Sequence, residues 1–115
     1  MPTTSHPGDV VLVRFPFTDL TTTKLRPAVV LATRGDDLTI AGIFSSFPQP
    51  SQQTWIVLNS QDRNFSETGL KTTSVIKAER IAVVEQSVVV RKLEPLSPSQ
   101  MEKVKRAVKL SLNLD

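Results

Sequence analysis

Short apolar runs rich in β-branched residues alternate along this chain with polar turns, and a helical period appears only near the C-terminus. Runs of this length form strands that bury one face of a sheet. Strands are predicted over residues 10–17, 27–33, 38–45, 54–58, about 74–77, and 87–93. The tetrapeptide 34–37 (RGDD) separates the second and third strands as a hairpin turn would, so these two should pair antiparallel. The pattern predicts a mainly β fold, either a small antiparallel β-barrel or a rolled sheet.

The C-terminal segment carries the signals of an amphipathic helix. Ser97 can cap a helix, Pro98 suits its first position, and Gln100 completes a capping box. Beyond them, apolar residues recur at three- and four-residue spacing: Met101, Val104, Val108 and Leu112. This spacing predicts an apolar stripe that packs on the sheet.

Composition limits the chemistry that the chain can perform. Its 115 residues suit a single domain, 1–115, with one modest core. The absence of cysteine excludes disulfides, thiolate zinc sites and a cysteine nucleophile. The only histidine, His6, stands near a terminus, which disfavours a Ser-His-Asp enzyme. We therefore expect chemistry that uses no metal and no other cofactor.

Charge and hydropathy indicate the kind of partner and the compartment. Fourteen Lys and Arg against eleven Asp and Glu give a net charge of +3, a mild bias towards anionic partners such as RNA or an acidic peptide. No run has the length of a membrane span, and the N-terminal residues lack the layout of a signal peptide. The expectation is a cytoplasmic protein without a membrane partner.

Two cations, Lys24 and Arg26, end the polar segment that precedes the second strand. Pro27 favours an extended backbone at Arg26, so the guanidinium should project from a rigid strand edge. Such a group can bind a phosphate through two hydrogen bonds and stabilise the charge that develops during cleavage. The residues alone leave open a second interpretation, in which Arg26 pairs with a carboxylate or lies in solvent.

Further polar residues follow two later strands. Ser45 and Ser46 end the third strand, where their hydroxyls could reach a phosphate or a ribose, or bond to the local backbone. Lys77 and Glu79 are two residues apart, so in a strand they share one face. They could form an acid–base couple or a surface ion pair.

The aromatic residues near these positions have two interpretations. Phe47 and Trp55 could each stack on a nucleobase, as aromatic side chains do in proteins that bind single-stranded nucleic acid. Within the apolar run TWIVL, however, Trp55 is better explained as a residue of the core.

Four pieces of the sequence recur together in one known family: GDVVLVRFPFTDLTTTKLRPAVVLAT, IFSS, GLKTTSVIKAERI and the terminal LSLNL. The most specific are Gly8-Asp9, then Arg26-Pro27 before an apolar strand, and SVI at 74–76 followed closely by RI at 80–81. In order and spacing, from residue 8 to residue 114, the chain resembles the MazF/PemK family of toxin endoribonucleases.

This resemblance implies an SH3-like small barrel, a homodimer, and metal-independent, sequence-specific cleavage of single-stranded RNA. In this family the 2′-hydroxyl of the RNA attacks the adjacent phosphorus and leaves a 2′,3′-cyclic phosphate and a 5′-hydroxyl end. The implied partners are the RNA substrate and a cognate antitoxin protein, and DNA is an expected partner of the toxin–antitoxin complex. The acidic tail of the antitoxin would fold across the basic RNA groove.

The resemblance also implies site residues. Arg26 matches the family arginine that acts on the scissile phosphate, and Ser45 matches the hydroxyl residue that holds a phosphate oxygen. Lys77 and Glu79 fall where one branch of the family has an arginine and an aspartate as acid and base. The residues expected to bind RNA around them are Lys24, Ser46, Phe47 and Gln49.

The substitutions at Lys77 and Glu79 leave an alternative function open. Lysine cannot form the two parallel hydrogen bonds of arginine, and glutamate reaches one carbon further than aspartate. The alternative is a catalytically decayed barrel that binds RNA or a peptide. A third interpretation is an adaptor that docks a partner through its helix stripe, which requires that stripe to be exposed.

Overall fold

Six antiparallel strands and one helix account for most of the residues that the computed structural model describes, which are 4–14, 25–45, 53–58 and 74–114. The strands are β1 (Val10–Arg14), β2 (Leu25–Arg34), β3 (Asp37–Phe44), β4 (Trp55–Leu58), β5 (Ser74–Glu85) and β6 (Val89–Lys92). A 3-10 turn (Gln86–Val88) precedes β6, and helix α1 (Pro98–Ser111) follows it. The predicted mainly β fold with a C-terminal helix is confirmed.

The strands form one sheet in the order β4-β5-β3-β2-β1-β6. Strands β2 and β3 are the antiparallel pair predicted from the hairpin turn. Among the described residues β4 and β6 do not pair, so the sheet is not closed and the expected SH3-like barrel is not confirmed. One apolar cluster on this sheet extends across all the strands from Val84 of β5 to Val89 of β6.

The two faces of the sheet have separate cores. The helix-side core consists of Val10, Val29, Ala41, Ile43, Leu58, Ile76, Leu96, Met101 and Val104. The inner core lies on the other face and consists of Val11, Val13, Ala28, Val30, Leu38, Ile40 and Val84. Alternate residues of β1 and β2 go to opposite cores, as the two-residue period of a strand requires.

Helix α1 begins as its sequence predicts. The Ser97 hydroxyl accepts a hydrogen bond from the Gln100 backbone N–H (3.2 Å), and the Gln100 side chain accepts one from the Ser97 N–H (3.0 Å). Met101 and Val104 are buried in the helix-side core, and Val108 packs against it. The sheet covers Met101 and Val104 and partly covers Val108, which counts against the adaptor interpretation. Leu112 lies beyond the helix and is 52% exposed.

Strand β5 is longer than the sequence indicates. The predicted strand 74–77 continues to Glu85, and residues 77–80 form a wide bulge within it. Ile76 pairs with Ile43 and Ile81 pairs with Ala41, so four residues of β5 lie opposite the single Gly42 of β3. A bulge redirects side chains and is frequent beside functional sites.

Smaller differences concern the ends of other strands. Residues 87 and 88, predicted to begin the last strand, belong instead to the 3-10 turn. Strand β2 begins at Leu25, two residues earlier than predicted, and β4 begins at Trp55. Residues 15–17 of the first predicted strand lie outside the described residues.

Gly8 and Asp9 tie the N-terminal segment to the sheet. The Gly8 N–H donates to the Val30 carbonyl, the Asp9 carbonyl accepts from the Val30 N–H, and the Gly8 carbonyl accepts from the Leu96 N–H, at 2.8 to 2.9 Å. Gly8 has φ +95°, which is unfavourable for residues with a Cβ. The pair thereby connects β2 with the segment that leads into α1.

Candidate functional site

Arg26 lies near the start of β2 on the face of the inner core. It pairs with Val13 of β1 and is half-buried. Ala28 of the same strand pairs with Gly42 of the neighbouring strand β3. Arg26 lies two residues before Ala28, and Phe44 lies two residues after Gly42. In an antiparallel pair these two residues are therefore opposite each other, at the same end of the sheet and on the same face. Within the described residues no carboxylate forms an ion pair with Arg26.

Lys77 is held between two aromatic rings on this same face. Its Nζ lies 4.7 Å from the centre of the Phe44 ring and 4.7 Å from the centre of the Trp55 ring. The strand register explains both contacts, because Trp55 is directly opposite Lys77 and Phe44 is directly opposite Val75. At these distances the ring faces attract the ammonium group. We call Phe44, Trp55 and Lys77 the aromatic clamp.

Glu79 lies beside the aromatic clamp and contacts strand β4 and the residue before it. The Thr54 hydroxyl donates a hydrogen bond to Glu79 Oε1, and the Trp55 indole N–H donates one to Oε2, both at 2.7 Å. The backbone joins the same strands, because the Ala78 N–H donates to the Thr54 carbonyl at 2.9 Å. The indole of Trp55 therefore contacts Lys77 through its ring face and Glu79 through its N–H.

These contacts shift the ionisation of Glu79. Partial burial opposes the charged form, but the hydrogen bonds from Trp55, Thr54 and its own backbone, together with the charge of Lys77, outweigh it. The pKa of Glu79 is therefore below its ordinary value. Glu79 is ionised at neutral pH, with a donor on each oxygen.

A family model described as "PemK-like, MazF-like toxin of type II toxin-antitoxin system" matches residues 6–112 of this sequence. The chain belongs to this family. The resemblance found in the sequence is thereby confirmed, and toxins of this family are generally endoribonucleases. Among curated protein sequences none matches the chain significantly.

Solved structures of MazF toxins share this fold. The toxin MazF-mt6 of Mycobacterium tuberculosis is 18% identical, with 93% of this chain and 98% of that one covered and a TM-score of 0.72. MazF of Deinococcus radiodurans is 14% identical, with 96% and 97% covered and a TM-score of 0.73. An endoribonuclease from mycobacterial species, in complex with its cognate antitoxin, is 17% identical, with 97% and 98% covered and a TM-score of 0.72.

In this PemK-like chain, the fold brings most of the described candidate residues to one end of the sheet. Ser45 directly follows β3 and Phe44, and it is exposed. It therefore lies at the same end of the sheet as Arg26, which is the second residue of β2. Lys77 and Glu79 both contact Trp55, and they form no ion pair with each other. The expected RNA-binding residues Lys24, Ser46, Phe47 and Gln49 lie outside the described residues.

Sequence reasoning missed two members of this site and misjudged a third. Trp55, expected in the core, is half-buried and belongs to neither core cluster. Thr54 and Phe44 were not singled out, although both contact the predicted Lys77–Glu79 segment. The sequence features that could have indicated these residues are the aromatic residue at the end of β3 and the Thr-Trp pair at the start of β4. Their contacts with Lys77 and Glu79 can be inferred only when the pairing of the strands is known.

Within 4–14, 25–45, 53–58 and 74–114, no three side chains of the types that ligate metals come together. The single described helix is too short and too polar to cross a membrane.

Proposed function

We propose that this PemK-like chain is the toxin of a type II toxin–antitoxin pair and cleaves single-stranded RNA at short sequences without a metal ion. The observation that carries the proposal is that Arg26, Ser45 and the aromatic clamp lie at one end of the sheet. Arg26 and the clamp also lie on the same face. Two cations on one face of the sheet suit a substrate with a phosphodiester backbone. Membership of an endoribonuclease family supports the same assignment.

The chemistry that suits these residues uses a nucleophile from the substrate. The ribose 2′-oxygen bonds to the adjacent phosphorus and loses its proton, while the bond from phosphorus to the 5′-oxygen breaks and that oxygen gains a proton. The products are a 2′,3′-cyclic phosphate and a 5′-hydroxyl end. Negative charge builds up on the phosphoryl oxygens during this exchange, and a positioned guanidinium stabilises it.

Arg26 is the residue assigned to that charge. It is half-buried on the inner face, and within the described residues it forms no ion pair with a carboxylate. A planar guanidinium can bind two phosphoryl oxygens at once. Ser45, exposed beside Phe44, is assigned to a hydrogen bond with a phosphate oxygen.

The partners assigned to the chain are single-stranded RNA, a cognate antitoxin and a second copy of the chain. Antitoxin complexes occur among the structures of the same fold, including MazE-MazF of Deinococcus radiodurans. A basic surface that binds RNA would also attract an acidic antitoxin segment. Light scattering of the chain alone, and after addition of the protein encoded beside it, measures both assemblies.

Digestion of a mixed-sequence RNA tests this function. The 5′ ends of the products are mapped to give the recognition sequence, and their 3′ ends are tested for a cyclic phosphate, with and without a metal chelator. Arg26→Ala should lower the cleavage rate about 10²–10³-fold, the loss typical of removing one transition-state donor. Arg34→Ala is the matched control, because Arg34 ends the same strand and is exposed.

Two results would contradict the proposal. Intact RNA after incubation with wild-type protein, but with RNA bound, would support the decayed binding module instead. Cleavage by Arg26→Ala at the wild-type rate would remove Arg26 from the mechanism.

A further inference from the structure

We propose that Glu79 is a positioning residue: its carboxylate fixes Trp55, and Trp55 with Phe44 holds the Lys77 ammonium as a second phosphate-binding group. The inference rests on the proposed function, because it assigns roles within that same RNA site. It differs from the acid and base roles that the position of Lys77 and Glu79 implies.

The hydrogen bonds of Glu79 are those of an anchor. Each carboxylate oxygen already accepts a bond of 2.7 Å, one from Thr54 and one from Trp55. Bonds of this kind stabilise the charged form and therefore make the group a weaker proton acceptor. A general base works best with a pKa near the working pH, and the pKa of Glu79 is shifted in the opposite direction.

The surroundings of Lys77 give it the restraint that a lysine side chain otherwise lacks. A lysine is a flexible stem that ends in a point charge, whereas arginine presents a rigid fork. Here the ammonium lies 4.7 Å from two ring centres, which limits its positions. Ring faces attract the cation without neutralising its charge. Among the described residues no carboxylate forms an ion pair with Lys77, although its charge acts on nearby Glu79, and we assign the ammonium to a phosphate of the RNA.

The link between Glu79 and Lys77 runs through one indole. If the Trp55 ring turned about its side-chain bonds, it would leave both Lys77 and Glu79, because its face serves one and its N–H the other. The bulge at 77–80 brings Glu79 over the start of β4, where Thr54 and Trp55 lie. The remaining charged neighbour on the bulge is Arg80, and the described residues of β4 include no titratable group.

The first test measures the contact between Glu79 and Trp55 without RNA. Trp55 is the only tryptophan and the chain has no tyrosine, so its emission reports on this one site. On acidification the wild-type emission should change in a step below the ordinary pH range of glutamate, as Glu79 is protonated and its bond to the indole weakens. Glu79→Gln should lack this step, and Glu85→Gln, at the exposed end of the same strand, should retain it.

The second test separates positioning from base catalysis. For a positioning residue, Glu79→Gln should raise KM several-fold and change kcat less than about 10-fold, and the pH profile of kcat should keep its acidic limb. Loss of a general base would lower kcat about 10²–10⁴-fold and remove the acidic limb of the kcat profile, and this result would overturn the inference. Lys77→Ala should raise KM and reduce the salt dependence of RNA binding by about one phosphate contact, with Lys105→Ala, exposed on α1, as control.

Failure of this inference can be distinguished from failure of the proposed function. If wild-type protein does not cleave RNA, the endoribonuclease assignment fails. The emission titration still measures the contact between Glu79 and Trp55, and binding of 2′-O-methyl RNA, which lacks the attacking hydroxyl, still measures the contribution of Lys77 to RNA affinity. Trp55→Phe provides a variant that keeps a ring beside Lys77 but removes the N–H. It should weaken 2′-O-methyl RNA binding less than Lys77→Ala does, and an equal or larger loss would overturn the assignment of the phosphate contact to Lys77.

Discussion

Replacement of Asp9 by alanine should destabilise the protein, although Asp9 belongs to one of the motifs that identify the family. Its side chain is 10% exposed and has two partners: Oδ2 accepts a bond from the His6 backbone N–H at 2.8 Å and lies 3.2 Å from Lys92 Nζ. The carboxylate thus joins the N-terminal segment to β6. Asp9→Ala would remove this acceptor from both donors, although Lys92 Nζ keeps its bond to the Thr4 carbonyl at 3.2 Å.

The expected loss follows from these two contacts. A hydrogen bond to a charged acceptor contributes about 1.5–3 kcal/mol. The pair with Lys92 adds about 0.5 kcal/mol, because the lysine side chain is 32% exposed and solvent screens it. The free energy of unfolding should therefore fall by about 2–3.5 kcal/mol. For a chain of this size the melting temperature should fall by roughly 10 °C.

Urea unfolding followed by Trp55 emission measures this loss, and RNA cleavage by the remaining folded protein measures function. Asp9→Asn, which keeps an oxygen acceptor for the His6 N–H, should lose only about 1 kcal/mol. Glu94→Ala is the control, because Glu94 is exposed in the connection between β6 and α1. The reasoning is refuted if Asp9→Ala changes stability by less than about 0.5 kcal/mol, or if it removes cleavage while stability is unchanged.

Three further substitutions test the capping box, the glycine before Asp9, and the contribution of Glu79 to stability at acidic pH. Ser97→Ala should destabilise by about 1 kcal/mol in urea unfolding, because it removes the acceptor for the first turn of α1; no change would mean that the cap is redundant. Gly8→Ala should destabilise by about 1–2 kcal/mol, since an added Cβ meets no atom within 4 Å and only the φ of +95° opposes it; a neutral result would show that the backbone relaxes. Because the folded-state pKa of Glu79 is lowered, its contribution to stability is present above the ordinary glutamate pKa and is lost as the pH falls through the lowered value; the loss on acidification should be smaller in Glu79→Gln, measured by unfolding at several pH values.

Local signals in the sequence were sufficient for the elements that depend on neighbouring residues. The capping box at Ser97 and Gln100 is formed within four residues of chain, and it occurs where the sequence predicts it. The turn at Gly35 has φ +60°, which glycine adopts easily, and it joins the predicted strand pair. Both features are decided by short-range sterics and hydrogen bonds, so no knowledge of the rest of the fold was needed.

The extent of β5 depends on residues that are distant in sequence. Its apolar runs are interrupted by charged residues at 77, 79 and 80, so the periodicity indicated an early end. In the structure those charged residues occupy the bulge, and the strand resumes with Ile81 opposite Ala41. Pairing with β3 on both sides of the bulge keeps the strand continuous. This pairing cannot be predicted from the residues of β5 alone, because the partner residues are distant in the sequence.

Trp55 was misjudged because the same long-range pairing decides its environment. The apolar run around Trp55 favoured the core, but the indole N–H of a tryptophan also needs a hydrogen-bond partner wherever the ring is buried. That partner is Glu79, 24 residues away in the chain, and it reaches Trp55 only because β4 pairs with β5. The register that aligns Trp55 with Lys77 also gives the lysine its second ring.

Lys77 and Glu79 keep the charges of the arginine–aspartate pair that the family resemblance implies, but their side chains differ from that pair in length and shape. A longer carboxylate reaches the indole N–H and the Thr54 hydroxyl of the neighbouring segment, and a compact ammonium fits between two rings that a guanidinium would have to stack on. Each substitution suits the other only if Trp55 is present, because Trp55 contacts both. A double variant with Lys77→Arg and Glu79→Asp should therefore depend less on Trp55. In this variant Trp55→Phe should lower the RNA affinity by a smaller factor than Trp55→Phe does in the wild-type chain.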